Sequence, residues 1–270
     1  FKYMANLVQG DLGTSFRTNR PVLVDLKQYL PATIELALVA IIIATFFGIL
    51  FGVLSATWPN SFIDHFLRTI SVTGVSIPSF WFALLVLYVF YFHLGWSPGP
   101  GRIGAWSTPA DPITNFYIID SIIQKRWDIL KESLQHLFWP ALVLGTFTMG
   151  LITRTNRSSL LETMSMDYIR TARAKGLGKL AVVTRHAFGN AFIPVITVIG
   201  LGFGNLLGGA VLVETIFSWP GIGMYAYRSA VSLDYPAITG VALLIAVNYV
   251  IINLIVDILY GIIDPRIRYQ

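Results

Sequence analysis

The chain has 270 residues, of which 55% are hydrophobic, 14% aromatic and only 12% charged, with a formal net charge of +5. A soluble domain carries about 25% charge, so this composition argues against a soluble enzyme, a nucleic-acid binder and a disordered tail, and points to a bilayer as the solvent. With no cysteine, a disulfide scaffold and thiolate metal sites are excluded.

A helix crossing a hydrocarbon core of ~30 Å needs about 20 largely apolar residues. Five stretches free of Asp, Glu, Lys and Arg are long enough: 36–63, 69–101, 133–153, 187–213 and 235–256. Lipid-facing backbone must satisfy its own hydrogen bonds, and these runs lack the alternation of barrel strands, so the expected fold is an all-α, polytopic transmembrane bundle with five spans. The first run starts too far into the chain for a signal peptide. Five crossings put the two ends on opposite sides, and an opening at Phe1 raises the expectation of a missing first helix.

In chain order, residues 1–30 read as an extracytoplasmic lead-in, 31–263 as the membrane domain and 264–270 as a cytoplasmic tail. One face holds 1–35, 102–132 and 214–234, with nine basic and nine acidic residues. The other holds 64–68, 154–186 and 257–270, with ten basic and five acidic residues, the whole surplus of the protein. The density of Lys and Arg makes the second face cytoplasmic, and its charge needs no nucleic acid. Trp58, Trp96, Trp139 and Trp219 lie near run ends, as an interfacial belt would. Gly48 and Gly52, and Gly204 and Gly208, have the spacing that lets helices approach closely. Pro78, Pro140 and Pro194 predict kinks. Asn205, Asn248 and Asn253 suit either a polar pathway or hydrogen bonds between helices. Glu35, Glu214 and Asp257 flank span ends, as hydrated groups or functional ones. The segment 98–135 has several Pro and Gly and a short helix predicted over 127–135. His93, His136 and His186 are scattered, without metal-ligand spacing.

The loop 154–186 is the most organised segment outside the spans. Ser165 or Asp167 is placed to cap a helix. Ile169, Ala172, Leu177 and Leu180 recur at helical spacing, and Arg170 and Arg173 share a face. Gly176 suits a left-handed cap, and 180–186 restarts a helix. This physics fits two readings equally: a basic interfacial helix on anionic lipid, or a docking element for a cytoplasmic partner. No nucleotide site is present: Gly178-Lys179 is followed by Leu180, where a Walker A loop needs Ser or Thr.

The run Asp167-Tyr-Ile-Arg-Thr-Ala-Arg-Ala-Lys-Gly-Leu177, then Arg185-His186-Ala187 and Asn190-Ala-Phe-Ile-Pro194, resembles the cytoplasmic coupling loop of ABC importer permeases. Within them it is most similar to the B-type permease subunit of the dipeptide/oligopeptide importers. Gly10-Asp-Leu-Gly13 with Ser15-Phe16 and Arg20-Pro-Val22, Glu214-Thr-Ile-Phe-Ser-Trp-Pro-Gly-Ile-Gly223, Asp234-Tyr-Pro236 and Asp264-Pro-Arg-Ile-Arg268 match that family in order along the chain. Two departures stand out. Arg170-Thr171-Ala172 occupies the place of the general loop's Glu-Ala-Ala, and Gly189 that of its proline.

The resemblance implies a type I importer permease fold with six helices, the first missing here. It also implies a bacterial inner-membrane location. The chain would form half of a path for di- or oligopeptides and would be no enzyme itself. Its expected partners are a second permease, two cytoplasmic ATPase subunits that bind ATP and Mg, and an extracytoplasmic peptide-binding protein. The coupling residues implied are Ile169, Arg170, Ala172, Arg173, Lys175, Gly176 and Leu177. Alternatives keep the fold with nickel complexes, glutathione or another small solute as cargo, or replace it with an ion-driven secondary transporter. The latter would show inverted repeats and a mid-span ionisable site, and the runs show neither.

Overall fold

A computed structural model of the chain describes residues 10–263. Among these, helices are α1 (Val22–Thr57), α2 (Phe62–Ser76), α3 (Ser79–Val86), α4 (Tyr117–Ile123), α5 (Trp127–Thr163), α6 (Asp167–Ala174), α7 (Lys179–Ala181), α8 (Phe188–Gly209), α9 (Val211–Ile216), α10 (Ile222–Val231) and α11 (Tyr235–Ile263). Wide π turns, Leu87–His93 and Val182–Ala187, extend α3 and lead into α8. Four continuous stretches are long and apolar enough to cross a bilayer: α1, α5, Lys179–Gly208 and Tyr235–Ile258. The pair α2–α3 makes a fifth if taken as one broken span.

The break in that pair corrects the reading of 69–101 as one continuous span. A proline has no N–H and drives the residue before it out of the helical region. Ile77, just before Pro78, is extended at φ −79° and ψ 126°. The first run also crosses a helix boundary, because its turn at 58–61 carries no charge. Asn60 there takes a positive φ of 60°, and the Ser61 hydroxyl caps α2 by accepting from the Asp64 N–H at 3.3 Å. The helix expected over 127–135 is the first part of α5, which runs through Pro140 without stopping. α1 begins at Val22, inside the expected lead-in 1–30, and α5 extends ten residues into the expected loop 154–186. The 264–270 tail and its Asp264–Arg268 motif lie outside the described residues.

The chain packs as two compact units. The first comprises the residues up to Ala40, Ser79–Leu144 and Asn205–Val250. Its core joins Leu12, Val22 and Leu26 to Ile222, Tyr225, Ala237 and Val241. The motif 10–22 forms a tight loop closed by hydrogen bonds from Ser15 N to Arg20 O and from Val22 N to Gly13 O, both 2.9 Å. Asp234 holds this loop through Ser15 Oγ at 2.5 Å and the Phe16 N–H at 3.1 Å. Burial raises the pKa of Asp234, but these donors outweigh it and hold the carboxyl below its ordinary range. Trp219 is buried and donates its indole N–H to Ala32 O at 2.8 Å, so it belongs to the interior and not to an interfacial belt. Trp58 and Trp96 are exposed, while Trp139 stacks on Phe90 at 4.1 Å.

Glu35 and Glu214 are not hydrated ends either. Glu35 pairs with buried Arg102 and accepts from the Ile118 N–H at 2.9 Å. Glu214 is fully buried and accepts from Thr33 Oγ1 at 2.7 Å and the Met224 N–H at 2.9 Å. Asp257 is exposed.

The second unit comprises Ile41–Pro78, Gly145–Gly204 and the residues from Ile251 onward. Two clusters fill it. Ala44, Met149, Ile152 and Val195 pack along α1, α5 and α8, and Ala56, Leu160, Ile169, Val182, Val183, Ala187 and Ala191 pack at their loop-side ends. A Cβ on Gly48 would lie 2.7 Å from Ile152 Cβ, and one on Gly52 2.6 Å from Asn156 Nδ2. The small pair therefore sets how closely α1 and α5 approach.

Candidate functional site: the loop joining α5 to α8

The loop runs from Thr163 to Lys179 around α6. Neither Ser165 nor Asp167 caps this helix. Met166 occupies the cap position, Ser165 Oγ donates back to Glu162 O at 2.7 Å, and Asp167 is already in the first turn, where its charge complements the helix dipole. The other end is as the sequence indicates. Gly176 sits at φ +80°, its N–H bonded to Arg173 O at 2.9 Å. A Cβ there would meet nothing within 4 Å, so glycine is required by backbone conformation and not by space.

α6 divides into two faces. Ile169 and Ala172 are buried, at 0% and 6% exposure, and Ile169 packs against Val182, Val183 and Ala187 of the following turn and against Ala56, Leu160 and Ala191. This packing fastens α6 to the ends of α1, α5 and α8. Arg170, Arg173, Lys175, Gly176 and Leu177 face outward and are exposed. Arg170 pairs with Asp167 at 3.2 Å, with both side chains largely in solvent, so the contact is worth little. Tyr168 Oη accepts a hydrogen bond from Asn190 Nδ2 at 2.8 Å, tying α6 to the start of α8.

One element of the site has no counterpart in the sequence reading. Asp64, at the start of α2, is fully buried and forms a two-pronged pair with Arg157 of α5, Nε to Oδ1 at 2.8 Å and Nη2 to Oδ2 at 2.7 Å. Ser55 Oγ donates to the same carboxylate, and so does the Asn60 N–H at 2.8 Å. The visible signal was Ser61 three residues before Asp64, a helix-start pattern, but the partner 93 residues away has no local signature. This brace joins α1, α2 and α5 close to where Ile169 enters the unit.

Asn205 is exposed, and Asn248 donates to Leu244 O of its own helix at 2.9 Å. Gly204 is buried, and a Cβ on Gly208 would stand 3.3 Å from Ile245 Cγ2. The tighter approaches on α8 are elsewhere, at Gly200 against Val256 and at Gly202, where a Cβ would lie 2.6 Å from Thr148 Cγ2.

α6 therefore has a basic, exposed outer face and an inner face seated through Ile169 on the ends of α1, α5 and α8.

Residues 48–269 match the family described as binding-protein-dependent transport system inner membrane component. The chain is 47% identical, over 99% of its own length and 78% of the relative's, to the probable D,D-dipeptide transport system permease protein DdpB of Escherichia coli (strain K12). It is 49% identical to the dipeptide transport system permease protein DppB of Alkalihalophilus pseudofirmus, over 99% of the chain and 80% of that protein. With the oligopeptide transport system permease protein AppB of Bacillus subtilis (strain 168) the identity is 43%, over 99% and 79%.

Proposed function

This chain belongs to the binding-protein-dependent transport system inner membrane components, and from that premise we propose that it forms half of a path for di- or oligopeptides and couples it to ATP hydrolysis by partner subunits. It is a multi-pass permease subunit of the bacterial inner membrane. A second permease, two ATPase subunits carrying ATP and Mg, and an extracytoplasmic peptide-binding protein complete the proposed assembly. The relatives' names favour peptide cargo over nickel complexes or glutathione.

The observation that carries the coupling role is the division of α6. Arg170, Arg173 and Lys175 are exposed and suited to an acidic groove, while Ile169 holds the helix to the bundle. Gly176 ends the helix and Leu177 lies beside it, exposed. Trp106, in the segment that charge places on the extracytoplasmic side, is 99% exposed in the loop before α4, an anchor suited to the binding protein.

The test is ATPase activity and uptake of a labelled dipeptide by the reconstituted transporter, comparing wild type with an Arg170→Ala/Arg173→Ala variant. The expected result is an intact permease that retains its ATPase subunits poorly and loses uptake. Unchanged uptake by the variant, or uptake persisting without any ATPase subunit, overturns the coupling role. Uptake of nickel complexes or glutathione in place of dipeptide overturns the cargo.

A further inference from the structure

We infer that the cleft between α2 and α5 is a binding site for the phosphate headgroup of an anionic phospholipid of the cytoplasmic leaflet. The two helices touch where glycines permit it: a Cβ on Gly74 would lie 2.9 Å from Thr146 Cγ2, and one on Gly150 2.6 Å from Ser71 O. Beyond this contact a cavity of about 630 Å³ opens, lined by Arg68, Val72, Val75, Leu151, Arg154 and Arg157. Arg157 is committed to Asp64. Arg68 and Arg154 make no ion pair with any described residue, so the cleft offers two uncompensated guanidinium groups, a geometry suited to phosphate oxygens.

Their depth selects the source of that phosphate. Arg68 is the last charge before the run 69–101, and Arg154 is the first after the run 133–153. Both therefore lie at the edge of the hydrocarbon layer, at headgroup level on the basic side. The walls supplied by Val72, Val75 and Leu151 suit glycerol and the upper acyl chain. Phe62, Ile63, Phe66 and Val72 give α2 an exposed apolar face, as a lipid-facing helix has. Basic pockets between spanning helices on the cytoplasmic side hold anionic headgroups by this chemistry.

The experiment is native mass spectrometry of the transporter from nanodiscs containing phosphatidylglycerol and phosphatidylcholine. Wild type is expected to retain at least one more phosphatidylglycerol than an Arg68→Gln/Arg154→Gln variant, and Arg68→Lys/Arg154→Lys is expected to recover most of it. Equal retention by wild type and the Gln variant, or equal retention of phosphatidylcholine, overturns the proposal. Displacement by inorganic phosphate would mark a site for soluble anions and also overturns it. A second readout does not depend on those variants. The chain has no cysteine, so Ser76→Cys carries a single photocrosslinker at the cleft. Capture of phospholipid supports the site, and capture of another subunit overturns it.

Discussion

Replacing Ile169 with Ala separates the two faces of α6. Ile169 is 0% exposed, and the change removes three carbons from a site closed by Val182, Val183, Ala56 and Leu160. At ~0.8 kcal/mol per buried methylene the transfer loss is about 2.4 kcal/mol, and the residual cavity brings it to roughly 3 kcal/mol. Because α6 is short and its outer face is solvated, the loss falls mainly on the opening of this loop and not on the bundle. At 1.4 kcal/mol per factor of ten, the open population rises by about two orders of magnitude. Hydrogen exchange of the amides of 170–174 in the nanodisc-embedded transporter reads that directly. The basic outer face is untouched, so ATPase subunits still bind and hydrolyse ATP while uptake per ATP falls. Unchanged exchange with full uptake per ATP would refute the claim that Ile169 transmits force into the bundle.

Gly176→Ala should cost about 1 kcal/mol of local stability from its positive φ, whereas Gly176→Asn, which tolerates that region, should cost less; exchange at the α6 end compares them, and Gly176→Pro or Gly176→Trp should insert normally but lower uptake per ATP. Arg157→Ala should destabilise the protein by roughly 3–5 kcal/mol, because it strands the buried Asp64 carboxylate; a thermal midpoint equal to wild type would contradict this. Burial pushes the Glu214 carboxyl up to about 7, against hydrogen bonds from Thr33 and backbone that lower it. The folded state then holds a proton that the unfolded state has released, so this stabilisation is complete below the unfolded pKa of about 4.5 and is lost as pH rises to about 7. Melting between pH 5 and 8 should show the decline in wild type and a flatter profile in Glu214→Gln. Trp106→Ala should leave ATPase assembly intact and weaken binding-protein-stimulated ATP hydrolysis, measured by titrating the binding protein.

The spans were legible because composition and charge-free length are properties of the bilayer as solvent, and they need no tertiary context. The exact ends were not. A run of uncharged residues continues through Trp58-Pro59-Asn60 and through Ile77-Pro78 as if nothing happened, although the backbone turns at the first and breaks at the second. Conversely, charges end a run without ending a helix, as Lys131 and Glu132 show inside α5. Asp64 with Arg157 and Glu35 with Arg102 escaped notice for one reason. A buried pair is a statement about two distant positions, and each residue alone reads as a hydrated end.

Within the loop joining α5 to α8, spacing identified α6 and its glycine stop but could not say which way the helix faced. That orientation also bears on the departure from the family's usual loop. Of Arg170-Thr171-Ala172, standing where Glu-Ala-Ala is general, the first two are exposed and only Ala172 is buried. The substituted positions therefore belong to the exposed face of α6, and the retained alanine to its buried face. Ala172 is 6% exposed, whereas Arg170 makes a solvent-exposed contact with Asp167. A change of charge at Arg170 can thus alter the choice of partner without altering how α6 is anchored.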